Sequence, residues 1–155
     1  MALGVNDLCG LRMEVGSMAD VDMNDWRNNK PTFCGYYCQI IQRYREMQPK
    51  ARFFLVSMMR GQGWEGCTPD HLECLKEICK AFDFCYLINL ADYGPLQDEL
   101  YNKNFYMSGH LNAQGYILTA KMICSYIDYI IRNNPEDFFQ VPYIGTDIYN
   151  RNYKY

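Results

Sequence analysis

No stretch of this sequence approaches the roughly 18 consecutive apolar residues that a bilayer-crossing helix requires, which excludes a transmembrane span. No basic excess is present either: 15 Lys and Arg against 18 Asp and Glu leave a net charge of −3 and an isoelectric point near 5.3. Without a positive stripe to meet a phosphate backbone, nucleic acid is not an expected partner. The opening residues Met1-Ala2-Leu3-Gly4-Val5-Asn6-Asp7 lack the charged and apolar regions of a signal peptide, so the expected localisation is cytoplasmic. Internal repeats, low-complexity tracts and domain-splitting linkers are also missing, and residues 1–155 read as a single domain.

What is present is an ordinary globular composition, 49 % hydrophobic with 15 % aromatic residues, enough to bury a real core. Eight cysteines, Cys9, Cys34, Cys38, Cys67, Cys74, Cys79, Cys85 and Cys124, fall mostly inside helix or strand patterns. There they act as small hydrophobes, and free thiols are the expected state. Cys67, His71, Cys74 and Cys79 gather soft donors but lack paired Cys-x-x-Cys knuckles, so they read as core thiols beside a surface histidine rather than as a zinc site. Asp20-Val21-Asp22-Met23-Asn24-Asp25 opens like a calcium loop. Asp25 stands where that loop needs Gly and Pro31 where it needs the bidentate Glu, which leaves a solvated acidic loop with a capping role. No metal or organic cofactor is expected.

Apolar residues at Phe33, Tyr36, Tyr37, Ile40, Ile41, Tyr44 and Met47 predict a helix over 33–47, capped by Thr32 and stopped by Pro49. Ala51 to Met58 is a short, nearly continuous apolar run of the kind found in buried parallel strands. Thr68-Pro69-Asp70 then reads as an N-cap followed by a first-turn proline, with a stripe at Leu72, Leu75, Ile78, Cys79 and Phe82. Phe84 to Leu90 predicts a second strand, ended by Tyr93-Gly94-Pro95. From Asn112 to about Arg132 runs the longest helix pattern, apolar at Ile117, Ala120, Ile123, Cys124, Ile127, Ile130 and Ile131. Phe138 to Gly145 is aromatic enough to pack back on the body, and the paired aromatics Tyr36 with Tyr37 and Tyr126 with Tyr129 read as core or contact surface.

This order suits right-handed βαβ crossovers and an α/β class. Two strands alone would leave backbone groups and apolar surface uncovered, so further strands are expected beside them. The first six residues read as the end of a strand running into a loop, with its body cut away. Between Leu8 and Lys30 lies a Gly-, Asp- and Asn-rich connection longer than the ~12 to 15 residues usual for structureless loops, which points to a role of its own.

Two segments carry residues suited to chemistry: Gly4-Val5-Asn6-Asp7, and Gly109-His110-Leu111-Asn112-Ala113-Gln114-Gly115-Tyr116. Both stand at strand ends or at helix entries, where open parallel sheets place ligands. An Asn amide on a tight turn can donate to an oxyanion, and a loop His can act as general base. On residue types alone, a structural turn and a hydrogen-bonded polar histidine account for them better than catalysis does.

In order and spacing the two segments resemble the SGNH (GDSL-like) serine hydrolases, across nearly the whole chain. That resemblance implies a three-layer α/β/α flavodoxin-like fold whose N-terminal strands, together with the nucleophile block, are absent here. It makes Asn6 the oxyanion donor and His110 the general base, with Gly4, Asp7, Gly109 and Asn112 supporting the two loops. An ester of a sugar or lipid would be the small-molecule substrate. The family's Gly-Asp-Ser nucleophile block and its second oxyanion glycine have no counterpart. Ser17 and Ser108 match neither its order nor its spacing, so this chain alone is expected to be inactive. Met107 stands where the family has the Asp that orients the His, and Asp92 is another source for such a carboxylate. The alternatives are a non-catalytic binding or interaction module that keeps the fold, and a chain that pairs through an exposed sheet edge.

Overall fold

A computed structural model describes residues 1–61, 66–107 and 109–138. At its centre β1 (Phe53–Val56) and β2 (Cys85–Ile88) pair in parallel, Phe53 opposite Cys85 through Val56 opposite Ile88. The aromatic and branched residues of both strands suit a pleat covered on both faces. Strand period then sorts them: Phe53, Leu55, Cys85 and Leu87 belong to one apolar cluster, while Phe54, Val56, Tyr86 and Ile88 belong to the other. Both predicted runs hold, trimmed to four residues each.

On the other side of β1, the Met1 amine donates to the Phe54 carbonyl at 2.6 Å and the Met1 carbonyl accepts from the Val56 N–H at 2.8 Å. Bonding to the residues before and after Leu55 is parallel-ladder spacing. Met1 therefore lies beside β1 in ladder register, although residues 1–4 form no strand of the sheet. The described residues form this parallel pair and one short antiparallel pair.

The helices α1 (Phe33–Met47) and α2 (Thr68–Ala81) pack with the first cluster. Helices α5 (Ala113–Asn133) and α6 (Pro135–Phe138) pack with the second. Helix α1 has the predicted bounds because all four of its orphan N-terminal donors find acceptors. The Thr32 N–H bonds the Lys30 carbonyl, the Phe33 and Cys34 N–H groups bond the Glu14 and Val15 carbonyls, and Gly35 N–H bonds Thr32 Oγ1 at 3.1 Å.

Its buried face departs from the expected stripe. Phe33, Cys34, Tyr37, Cys38 and Ile41 are buried, while Tyr36, Ile40, Tyr44 and Met47 are exposed. The compact thiols let α1 and α2 approach, and the ring of Tyr37 fills the space that remains. Helix α2 starts one residue earlier than predicted, with Cys67 at the N-cap and Thr68 inside and fully buried. In α5, Ile117, Ala120 and Cys124 are exposed, and Gly115, Thr119 and Ile130 are the buried positions.

The acidic loop folds on itself. Ser17 and Asp20 form a reciprocal capping box, Asp22 Oδ1 accepts from the Asn24 and Asp25 N–H groups, and Asp25 caps the turn Trp26–Asn28. Four elements lie outside the sequence expectation: α3 (Leu90–Tyr93), α4 (Glu99–Phe105), and the antiparallel pair β3 (Tyr106–Met107) and β4 (His110–Leu111). Helix α6, the fifth, ends at buried Phe138, whose ring stacks on Phe54 with centroids 5.9 Å apart. The rest of the expected aromatic tail lies outside the described residues. No helix among the described residues is long and apolar enough to cross a membrane.

Candidate functional site

A cavity of about 500 Å³ opens past the C-terminal ends of β1 and β2, between the opening segment, β4 and α5. Val5, Val56, Met58, Met59, Leu90, Leu111 and Ile123 make most of its wall apolar, while Asn6, Ser57, His110 and Thr119 supply polar atoms. Asn6 and His110, distant in sequence, thus line one cavity at the place where parallel sheets bind ligands.

Asn6 sits in a single six-residue π-helical turn, Val5–Gly10, entered through Gly4 at φ 129°. Its carbonyl accepts from the Leu11 N–H at 2.8 Å, which fixes the backbone and leaves the side chain exposed. Among the described residues no hydrogen bond engages that amide. Gly4 is required there because a Cβ would stand 2.7 Å from Cδ2 and Nε2 of the His71 ring. The Asp7 carbonyl accepts from the Met13 N–H at 2.9 Å, closing the turn from its far side.

His110 is exposed on β4, directly opposite Met107 in the antiparallel register. Gly109, at φ 95°, turns the chain into that strand. One residue past β4, Asn112 caps α5: its Oδ1 accepts from Gly115 N–H at 2.9 Å and its Nδ2 donates to the Asn104 carbonyl at 2.9 Å. The cap thereby ties the start of α5 to the end of α4, the two helices between which the hairpin carrying His110 runs. No protein hydrogen bond orients the His110 ring among the described residues.

Ser57, which sequence reasoning passed over, lines the same cavity. Its Oγ accepts from the Ala91 N–H at 2.9 Å and its own N–H donates to the Ile88 carbonyl at 3.0 Å, which fastens the end of β1 to the start of α3. A serine closing a buried apolar strand is the signal that could have found it.

Of the other singled-out residues, Ser17 caps a surface turn and Ser108 lies outside the described residues. Asp92 pairs with Arg60 at 3.0 Å and accepts from Asn89 Nδ2 at 3.0 Å. The Asn89 amide, with Arg60 behind it, holds the Asp92 carboxyl below its usual range, and no bond joins it to His110. The soft-donor quartet holds no ion-binding arrangement among the described residues. All eight cysteines are free, and burial pushes Cys79 and Cys85 up to about 12.

His71, expected at the surface, is fully buried in α2. Its two ring nitrogens meet the Met58 N–H and the Leu3 carbonyl, and burial pushes its protonation below the ordinary histidine range. An amphipathic helix can turn a histidine inward when backbone groups satisfy both nitrogens.

An amide donor and an imidazole facing one largely apolar cavity can stabilise an oxyanion and move a proton. No family model matches the chain, and no curated protein or solved structure matches it.

Proposed function

We propose that this chain is the C-terminal part of an SGNH-type ester hydrolase, with Asn6 as oxyanion donor and His110 as general base. The observation that carries this reading is the shared cavity of Asn6 and His110 at the strand ends. In this reading the sheet belongs to a doubly wound, flavodoxin-like layer structure, with helices on both faces of β1 and β2 and the opening segment beside β1. The serine comes from a polypeptide segment other than these residues. It attacks the ester carbonyl as His110 takes its proton, and the Asn6 amide meets the oxyanion. His110 then returns the proton to the leaving alcohol. The apolar wall favours an uncharged acyl group over a second ionic one.

Hexanoate, an acyl probe with a carboxylate in place of the oxyanion, tests the site on this chain. Titration followed by NMR is expected to move the Asn6 side-chain amide and the His110 ring together. The isolated chain is expected to give no burst of p-nitrophenol from a short acyl ester. Hexanoate shifts confined to residues outside the cavity, or a burst abolished by His110→Ala, would overturn the reading.

A non-catalytic binding module is favoured by one specific observation, Met107 opposite His110 in place of a carboxylate. It predicts the same hexanoate shifts but no turnover in any serine-bearing form of the protein.

A further inference from the structure

We infer that His71 is the positioning residue for Asn6: its neutral ring latches the loop carrying the amide to the loop that leaves β1. The inference rests on the reading of Asn6 as the donor facing a ligand in the shared cavity.

The His71 Nε2 lies 2.9 Å from the Leu3 carbonyl, three residues before Asn6. A carbonyl can only accept, so this nitrogen carries the proton. The Nδ1 lies 3.3 Å from the backbone nitrogen of Met58, which can only donate, so this nitrogen is bare. Both bonds are satisfied by the Nε2–H tautomer and by no other protonation state. A doubly protonated ring would turn one donor against another.

The contacts on either side complete the latch. Leu3 precedes Gly4, whose missing side chain makes room for the ring, and Met58 lies between two other residues of the cavity wall, Ser57 and Met59. Phe33 of α1 covers the imidazole with ring centroids 5.4 Å apart. Burial disfavours the charged ring, and the Leu3 carbonyl opposes that influence more weakly. A histidine held this way fixes the spacing between two neighbouring loops to within a hydrogen bond's length, which packing by an apolar residue would not.

The test uses this chain and two variants. His71→Phe keeps a ring against Phe33 and removes both hydrogen bonds; His71→Gln keeps a donor and an acceptor. In the wild type, ring ¹⁵N shifts should report a protonated Nε2 and a bare Nδ1, with scalar coupling across the bond from Met58 N–H to Nδ1. His71→Phe should leave most backbone amides in place, displace those of Leu3 to Asp7 with the Asn6 side chain, and weaken hexanoate binding about tenfold. His71→Gln should recover most of that loss.

Unmoved Asn6 resonances and unchanged hexanoate affinity in a folded His71→Phe overturn the inference. Should that variant fail to fold, the wild-type spectrum decides, since the opposite tautomer or an absent coupling is equally fatal. If Asn6 follows His71 while no serine-bearing form of the protein turns over an ester, the latch stands and the hydrolase reading falls.

Discussion

Gly4 is the residue at which sequence, backbone and site meet most closely. Its positive φ and the imidazole 2.7 Å from a Cβ position leave no room for a side chain. Gly4→Ala is therefore expected to cost about 1–3 kcal/mol, read as a lowered urea midpoint. His71 makes a second residue-level prediction. Burial sets its folded value below the ordinary 6.5, so protons bind the unfolded chain first as pH falls. Its contribution to stability is complete above about 6.5 and is lost as pH drops toward the lowered folded value. Urea midpoints measured from pH 8 to pH 5 should fall in the wild type and fall less in His71→Phe. A separate loss belongs below about 3.8, where Asp137, held down by Arg52 and then by Tyr86, takes up its proton.

Among the elements, α5 and α4, which flank the hairpin β3–β4, share one fastening, the Asn112 side chain. Asn112→Ala should cost about 1 kcal/mol through the lost cap, with hydrogen exchange speeding up at the hairpin as well as in the first turn of α5. The hairpin also places residue 107 directly opposite His110, where side chains of an antiparallel pair stand side by side. Met107→Asp is expected to give the His110 ring a cross-strand acceptor and fix its tautomer, read as a slowly exchanging ring N–H signal. A ring N–H that exchanges as fast as in the wild type would remove position 107 from any orienting role.

The same elements show what the sequence made legible. Helix α1 was readable to its end residues because Thr32 and the 3.6-residue period act locally. Which side of it faces inward was not, since Tyr36, Ile40, Tyr44 and Met47 are as apolar as the residues they were grouped with. The thiols of Cys34 and Cys38 decide that question through their fit against α2, a tertiary contact. The hairpin escaped because two-residue strands carry no measurable period, and their pairing depends on the Gly109 turn. His110 and Asn6 stood out by residue type and spacing, whereas the burial of His71 depends on backbone groups at Leu3 and Met58 that are distant in sequence.

At the scale of the whole molecule, helices cover both faces of a parallel pair, and the loops leaving one end of it converge on a single cavity. That convergence brings Asn6 and His110 to one cavity, the observation on which the proposed ester chemistry rests. The most direct measurement begins from the gene, by reading the sequence in frame ahead of Met1 and expressing the product with any strand and Gly-Asp-Ser block it encodes. The account predicts such a block and hydrolysis of p-nitrophenyl butyrate. It further predicts a loss of about 10²–10³ in kcat for Asn6→Ala and about 10²–10⁴ for His110→Ala. A product without the serine block, or one whose esterase activity is indifferent to both substitutions, would contradict it.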